Sequence, residues 1–252
     1  MNLGMKLNKI SIIIPVYRAE SFIRRNLERI KSSISEIFPN NEIIAVIDGF
    51  LDNSYEEASK VEGIRVFGYP DNQGKGFALK YGFKQSTGDF VTFIDCDIDL
   101  DPSQLGNFVP YMTAADVAIG SKRHPFSKVD YPLLRKIMSR CFQLYSFIIL
   151  GTTLRDTQSG LKLIKREVLE VIIPLIVVKQ FVFDLELCFL AQQHGFRIVE
   201  VPITVDYKFS GSGVNLRTIL VSLLDVLAIR YRYSISRYYQ KKFWEDKVEI
   251  KR

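Results

Sequence analysis

Short β-rich runs alternate with segments of helical apolar period over the first 120 residues, and that alternation restricts the chain to βαβ units on a largely parallel sheet. The runs fall at 9–16, 42–47, 64–68, 89–94 and 116–120. Between the first two, Phe22, Ile23, Leu27, Ile30 and Ile34 recur on one helical face. Further helices are expected near 53–61 and 74–86. The pattern leaves the order of the strands open. At 252 residues and 47% apolar, the chain can bury about 70–75% of its unfolded surface. One large α/β domain therefore needs no staple. Cys96, Cys141 and Cys188 are widely spaced, there is no C-x-x-C, and only two histidines occur. That excludes a zinc module and predicts reduced thiols in a cytosolic setting.

After Gly120 the character changes. A long helix is expected over 133–150, with Arg135, Lys136 and Arg140 on one side and Leu134, Ile137, Met138 and Cys141 on the other. Residues 156–160 read as a loop, and another helix is expected from about 183 to 194. In the last amphipathic segment Leu216, Ile219, Leu220, Leu223, Leu224, Leu227 and Tyr231 share a face, followed by Arg230, Arg232 and Arg237. No stretch reaches the ~18–20 apolar residues of a spanning helix, and the N-terminus does not read as a signal peptide. The final helix either packs on the core or lies in a membrane interface. Its Tyr- and Arg-rich end favours the interface.

The net charge of +6 conceals a polarised distribution: residues 122–166 carry +8 and residues 226–252 carry +5, so the remainder is acidic. Such blocks favour an anionic partner. The acidic counterpart is Asp95-Cys96-Asp97-Ile98-Asp99-Leu100-Asp101, four carboxylates at alternate positions after a buried strand. Their mutual repulsion is costly unless a cation sits among them. Mg²⁺ or Mn²⁺, which takes oxygen ligands and shares them with substrate phosphates, suits that charge pattern. A solvated acidic loop with Asp101 capping a helix is the plain alternative.

Pro15-Val16-Tyr17 with Glu20, and Asp48-Gly49 with Asp52, end the first two strands. Ligands of open α/β sheets bind at such ends, although turn chemistry uses the same residues. Gly74-Lys75-Gly76 lacks the spacing of a Walker loop and the third glycine of the dinucleotide fingerprint, so ATPase and NAD readings weaken. What remains is a helix start with Lys75 available to a phosphate. Asp156 sits beside the basic block and could face an acceptor. Asp184 and Glu186 near a helix start could simply complement its dipole.

Taken in order, Ile12-Ile13-Ile14-Pro15-Val16-Tyr17, the stretch 43–49, the stretch 72–78, Asp95-Cys96-Asp97, Gly120-Ser121-Lys122, the stretch 155–162 and Phe183-Asp184-Leu185-Glu186 resemble the GT-A type family 2 glycosyltransferases. The resemblance covers residues from about 8 to 235. It is closest to the branch that loads a hexose onto dolichyl or polyprenyl phosphate, with glucosyltransferases first and mannosyltransferases second. It implies a GT-A, Rossmann-like nucleotide-sugar-binding domain over residues 1–212, and an amphipathic docking helix with a basic tail over 213–252.

The same resemblance implies that Pro15, Val16, Tyr17, Glu20, Asp48, Asp95 and Cys96 contact the donor nucleotide. Asp95 and Asp97 match the family's Asp-x-Asp, with Asp99 as a third metal-side ligand. Lys122, Arg135, Ser139 and Lys208 fall at acceptor-phosphate positions, and Asp156 where a catalytic carboxylate is proposed. Ile47 replaces the first acid of the usual Asp-Asp-Gly, Cys96 replaces alanine, and Ser212-Gly213 stands where Ser-Lys is common. The expected activity is inverting transfer of a hexose from a UDP- or GDP-sugar to a lipid phosphate at the cytoplasmic face of a membrane, with Mg²⁺ or Mn²⁺. A membrane-protein partner is compatible with it. A rival is a non-catalytic membrane-associated subunit binding a nucleotide sugar or phospholipid. Nucleic-acid binding lacks the aromatic platform or motif that would support it.

Overall fold

The computed structural model describes residues 8–130, 133–206 and 216–249. Five parallel-type strands fall where the alternation puts them: β1 (Ile10–Val16), β2 (Asn41–Asp48), β3 (Ile64–Tyr69), β4 (Phe90–Phe93) and β5 (Val117–Ser121). Three helices connect the first four: α1 (Ile23–Ile37), α2 (Ser54–Ser59) and α3 (Lys75–Gln85). A 3₁₀ segment, Pro102–Thr113, leads to β5. Then come β6 (Lys128–Asp130), α4 (Leu133–Leu150), β7 (Lys162–Lys165), α5 (Arg166–Ile172), α6 (Phe183–Gln193), β8 (Ile198–Pro202), β9 (Thr204–Asp206), α7 (Leu216–Ser234) and α8 (Tyr238–Glu249).

The main sheet has seven strands in the order β3-β2-β1-β4-β7-β5-β8, and β6 pairs with β9 in a second, two-stranded sheet. All main-sheet pairs are parallel except those of β7, which runs antiparallel to both β4 and β5. The reversal matters because Lys162, the first residue of β7, pairs with Phe93 at the end of β4 and with Ile119 near the end of β5. The loop entering β7 is thereby delivered to the sheet edge where β1, β2, β4 and β5 terminate.

β1 and β2 are apolar on both faces because both faces are covered. Ile13, Ile44, Val46, Val91 and Phe93 pack under α3, α5 and α6. Ile12, Ile14, Ile43, Ala45 and Ile47 pack under α1 and the 3₁₀ segment. Val226 and Ile229 of α7 and Tyr239 of α8 belong to the first of these cores. The boundary expected at 212/213 lies outside the described residues.

α3 sits unusually close to the sheet at Gly82, where a Cβ would lie 2.4 Å from Ile13 Cγ2 and 3.1 Å from Val46 Cγ2. Replacing Gly82 with Ala forces α3 off the sheet, an overpacking cost of about 1–3 kcal/mol. Urea unfolding of Gly82→Ala is expected to show a lower midpoint at an unchanged slope.

Candidate active site

The carboxyl ends of β1, β2, β4 and β5 carry the candidate residues, and the loops there are cross-braced by side chains. Glu20 Oε2 accepts from the Asn53 amide at 2.9 Å while Asp52 Oδ2 accepts from the Glu20 amide at 3.2 Å. This exchange ties the loop after β1 to the start of α2. Pro15 and Val16 are buried beneath it, whereas Tyr17 is 47% exposed with the Arg18 guanidinium 5.5 Å from its ring centroid. Tyr17 is thus an exposed aromatic ring at this corner, as are Phe50 and Tyr55 after β2.

Asp48 is 2% exposed. It accepts from the Gln73 amide at 2.7 Å, the Gly74 amide at 2.9 Å and Asn72 Nδ2 at 3.0 Å. Its carboxylate shapes the turn into α3. In that turn Gly74 has φ +96°, and a Cβ there would meet Lys179 O at 2.6 Å. Gly76 donates its amide to the same carbonyl at 2.7 Å. Two glycines therefore let α3 begin against the 178–180 segment, which fixes where Lys75 emerges.

After β4 the acidic run turns at Ile98, whose φ is +56°. Asn26 Nδ2 binds Cys96 O at 2.8 Å, holding the run to α1. Asp101 Oδ1 accepts from the Ser103 amide at 2.9 Å and caps the 3₁₀ segment, so the plain reading holds for that one acid. Desolvation in the cleft and the charges of Asp95 and Asp99 raise the Asp97 carboxyl above the usual carboxylate range. Burial, with Asp97 and Asp95 beside it, pushes the Cys96 thiol up to about 12, so it stays neutral. Gly160, from the loop before β7, reaches this run: a Cβ there would be 3.0 Å from Asp95 Oδ2.

Beneath the run lies a line of alternating charge. Lys75 Nζ is 2.6 Å from Asp95 Oδ1 and 3.8 Å from Asp184 Oδ2, and Lys162 Nζ is 2.9 Å from Asp184 Oδ1. Lys162 is 1% exposed and also donates to Ser159 O. Burial pushes the Asp184 carboxyl up, but Lys162 and then Lys75 outweigh it and hold it below the usual range. Helix-dipole compensation is not its main role. Glu186, fully buried, instead accepts the amides of Val177 at 3.1 Å and Val178 at 2.7 Å and the Tyr239 hydroxyl at 2.5 Å.

The basic side is organised by Asp156, 3% exposed. Its Oδ2 accepts from the Lys122 amide at 3.0 Å and lies 3.6 Å from Lys122 Nζ, and its Oδ1 is 4.0 Å from Arg123. Arg123 also donates to Ser139 Oγ at 2.7 Å and to Arg155 O at 2.6 Å. A cavity of about 30 Å³, lined by Lys122, Arg123, Ser139, Phe142, Gln143 and Asp156 among others, sits here. Lys122 is close enough to lower Asp184 as well, which joins the two halves of the site. Lys208 and the side chain of Arg135 lie outside the described residues. A larger, open groove of about 710 Å³ between α1 and α2, bordered by Lys31, Lys60 and Glu62, faces the amino edge of the sheet, away from these groups.

Arg123 and Lys162 do more here than their sequence neighbourhood suggests. Both were visible only as members of the basic block. The register of β7 and the hydroxyl of Ser139 single them out.

The residues present fit a hard divalent cation. Asp95 and Asp97 offer carboxylate oxygens, and the raised Asp97 carboxyl marks a place where positive charge relieves repulsion. Among the described residues no three acid, His or Cys side chains converge as a metal cage. Asp99, expected as a third ligand, therefore does not complete one with Asp95 and Asp97. Two carboxylates with substrate phosphates completing the shell is the usual arrangement for Mg²⁺.

The model of glycosyl transferase family 2 matches residues 11–173, and the chain belongs to that family. It is 26% identical over 259 residues to a dolichyl-phosphate beta-glucosyltransferase of Saccharomyces cerevisiae, covering 92% of this chain and 77% of the yeast protein. It is 29% identical over 205 residues to an undecaprenyl-phosphate mannosyltransferase of Micrococcus luteus, covering 78% and 83%. It is 28% identical to the glycosyltransferase AglD of Haloferax volcanii, where the match covers 79% of this chain and spans 33% of the archaeal protein. Among solved structures, glucosyl-3-phosphoglycerate synthase from Mycobacterium tuberculosis with UDP superposes with a TM-score of 0.66 at 20% identity, over 88% of this chain and 79% of that one. The same synthase with Mn²⁺, UDP and glucosyl-3-phosphoglycerate also scores 0.66, at 21% identity over 88% and 78%. The mostly parallel sheet is thus that of the GT-A fold.

Replacing Asp184 with Asn leaves the Lys162 ammonium buried without its carboxylate, a loss of about 3–5 kcal/mol at pH 7. A carboxyl held low in the folded state contributes stability above its unfolded pKa of ~3.9 and loses it as pH falls. The gap in chemical-denaturation stability between wild type and Asp184→Asn is expected to be full at pH 7 and to narrow below about pH 4.

Proposed function

We propose that this chain transfers a hexose, with inversion, from a nucleoside diphosphate sugar to the phosphate of a dolichyl or polyprenyl phosphate. The observation that carries this reading is α4. Its start contributes Ser139 and Phe142 to the Lys122–Arg123 cavity, and further along it bares Leu144, Phe147 and Ile148, the last 68% exposed. A cationic pocket on one face of α4 and bare apolar side chains on another put an anion site and an apolar surface on the same helix, which suits an acceptor with an anionic head and a greasy tail. The yeast and Micrococcus relatives are named for such acceptors.

The chemistry follows from charge. A phosphate monoester, with a second pKa near ~6, is largely dianionic at neutral pH and needs no strong base. Lys122 and Arg123, with Arg135 and Lys208 as further candidates, offset its repulsion from the donor diphosphate. Asp156, beside Lys122 and Arg123, holds those two cations in place and is a positioning residue. Tyr17 offers a stacking surface for the donor base, with Glu20 and Cys96 at its rim; Pro15, Val16 and Asp48, expected as contacts, are buried and support it from behind. Asp95 and Asp97 would hold Mg²⁺ or Mn²⁺, which when bound neutralises the departing diphosphate; the mycobacterial synthase was crystallised with Mn²⁺ in one complex and Mg²⁺ in another.

Residues 213–252 dock the domain on the cytoplasmic face of a membrane in this reading, directly or through a membrane protein. α7 buries Val226 and Ile229 but bares Leu220, Leu224, Leu227 and Tyr231, and Tyr145 Oη donates to Leu223 O at 3.0 Å, joining α7 to α4. Exposed Lys136, Arg140, Arg230 and Arg237 lie on the same two helices or just past them. Among the described residues no helix is long and apolar enough to cross a membrane.

Purified chain with Mn²⁺, lipid phosphate and a panel of UDP- and GDP-sugars is expected to yield one hexosyl-phosphoryl lipid, identified by mass. Asp97→Ala should lower its rate about a hundredfold or more. Asp156→Asn should cost under about tenfold, short of the ~10²–10⁴ that a general base supplies. No glycolipid from any donor would favour a non-catalytic binding subunit. Separately, the double variant Ile148→Asp with Leu224→Asp is expected to lose co-flotation with anionic liposomes while keeping activity on a short-chain acceptor.

A further inference from the structure

Lys75 is paired with Asp95, one of the two acids that would hold a divalent cation. Its ammonium is 2.6 Å from Asp95 Oδ1, closer than to Asp184 Oδ2 at 3.8 Å. Asp184 does not depend on Lys75 for neutralisation, since Lys162 is 2.9 Å from its other oxygen. Lys75 is therefore the member of the line that can leave without exposing a buried charge: it is partly exposed and projects from the first residue of α3. Asp97 and Asp99, by contrast, have no lysine or arginine within ion-pair distance among the described residues, and Asp97 feels Lys75 only weakly compared with its acidic neighbours.

We propose that Lys75 is an internal counterion that stands in for the metal at Asp95 and makes metal binding depend on the nucleotide. A divalent ion arriving alone meets an ammonium already seated on one of its two carboxylate ligands, and must either displace it or share Asp95 with it. An ion arriving with a diphosphate brings negative charge to which Lys75 can swing, releasing Asp95. Lys75 projects from the start of α3 beside Asp95, so a diphosphate held through an ion on that acid would be within its reach. The two ligands thus bind with positive coupling, and by linkage each tightens the other by the same factor. The inference rests on the metal reading above but adds to it: Lys75 sets the order of binding and keeps the site from filling with free metal.

The test measures Mn²⁺ affinity by the electron paramagnetic resonance signal of free hexaaquo Mn²⁺, in the absence and presence of UDP, with no catalysis involved. Wild type is expected to bind Mn²⁺ weakly alone and at least tenfold more tightly with saturating UDP. Lys75→Met, which keeps the stem and removes the charge, is expected to bind Mn²⁺ alone at least tenfold more tightly than wild type and to gain less from UDP than wild type does, the remaining gain being the phosphates' own ligation. Lys75→Arg should behave as wild type, and both variants should retain the wild-type circular dichroism spectrum, since Lys162 still neutralises Asp184. If Lys75→Met binds Mn²⁺ alone no better than wild type while wild type still gains with UDP, the counterion role is wrong and the metal site stands. If neither protein binds Mn²⁺ even with UDP, the metal site and the counterion role fall together.

Discussion

The arrangement depends on one reversed strand. β7 enters the sheet antiparallel between β4 and β5, and its first residue, Lys162, is buried at the edge where its neighbours end. A lysine there is tolerable only against a carboxylate, and Asp184 supplies it at 2.9 Å. The pair is worth little as a net stabiliser, because desolvation offsets its attraction, but losing either partner is severe. Its consequence is positional. It fixes the loop 155–161, which brings Gly160 against Asp95 and Asp156 against Lys122.

From that fixed loop the electrostatics of the site can be reasoned through. A pair of unit charges 4 Å apart interacts by about 4 kcal/mol at an effective dielectric of ~20. A dianionic acceptor beside a diphosphate donor multiplies that repulsion several times over. The fold answers with separation of roles. Acids collect after β4, cations collect around Asp156, and the line of buried Lys162 and Asp184 with partly exposed Lys75 runs between them. Backbone freedom is spent at few points, chiefly Gly74 at φ +96°, so that the loops carrying these charges can approach one another.

Much of the scaffold was legible from the amino-acid order. The five strands and the helices between them follow apolar period, and the 133–150 helix has the bounds that its pattern suggests. Strand order and the reversal of β7 were not legible, because a four-residue strand with a lysine at each end carries no direction. For the same reason Lys162 looked like one cation in a basic block. Asp184 was ambiguous because an acid near a helix start is ordinary, and only the approach of Lys162 and Lys75 shows its use. Asp48, Glu20 and Asp156 were picked out as ligand contacts. In the fold they also brace backbone amides and cations, a long-range duty that local spacing does not reveal. The exposed apolar faces of α4 and α7 were readable as stripes, whereas their outward direction was set by Val226 and Ile229 filling the core.

The central claim is that the acids following β4 and the diphosphate of a sugar nucleotide share one cation, within reach of the Lys122 group. Crystals soaked with Mn²⁺ and UDP, with anomalous scattering collected at the manganese edge, address it directly. The account predicts a single strong peak bounded by Asp95, Asp97 and the two phosphates, with the uracil ring on the Tyr17 side. A diphosphate bound with no anomalous peak at those carboxylates, or a peak lodged elsewhere in the chain, would contradict it.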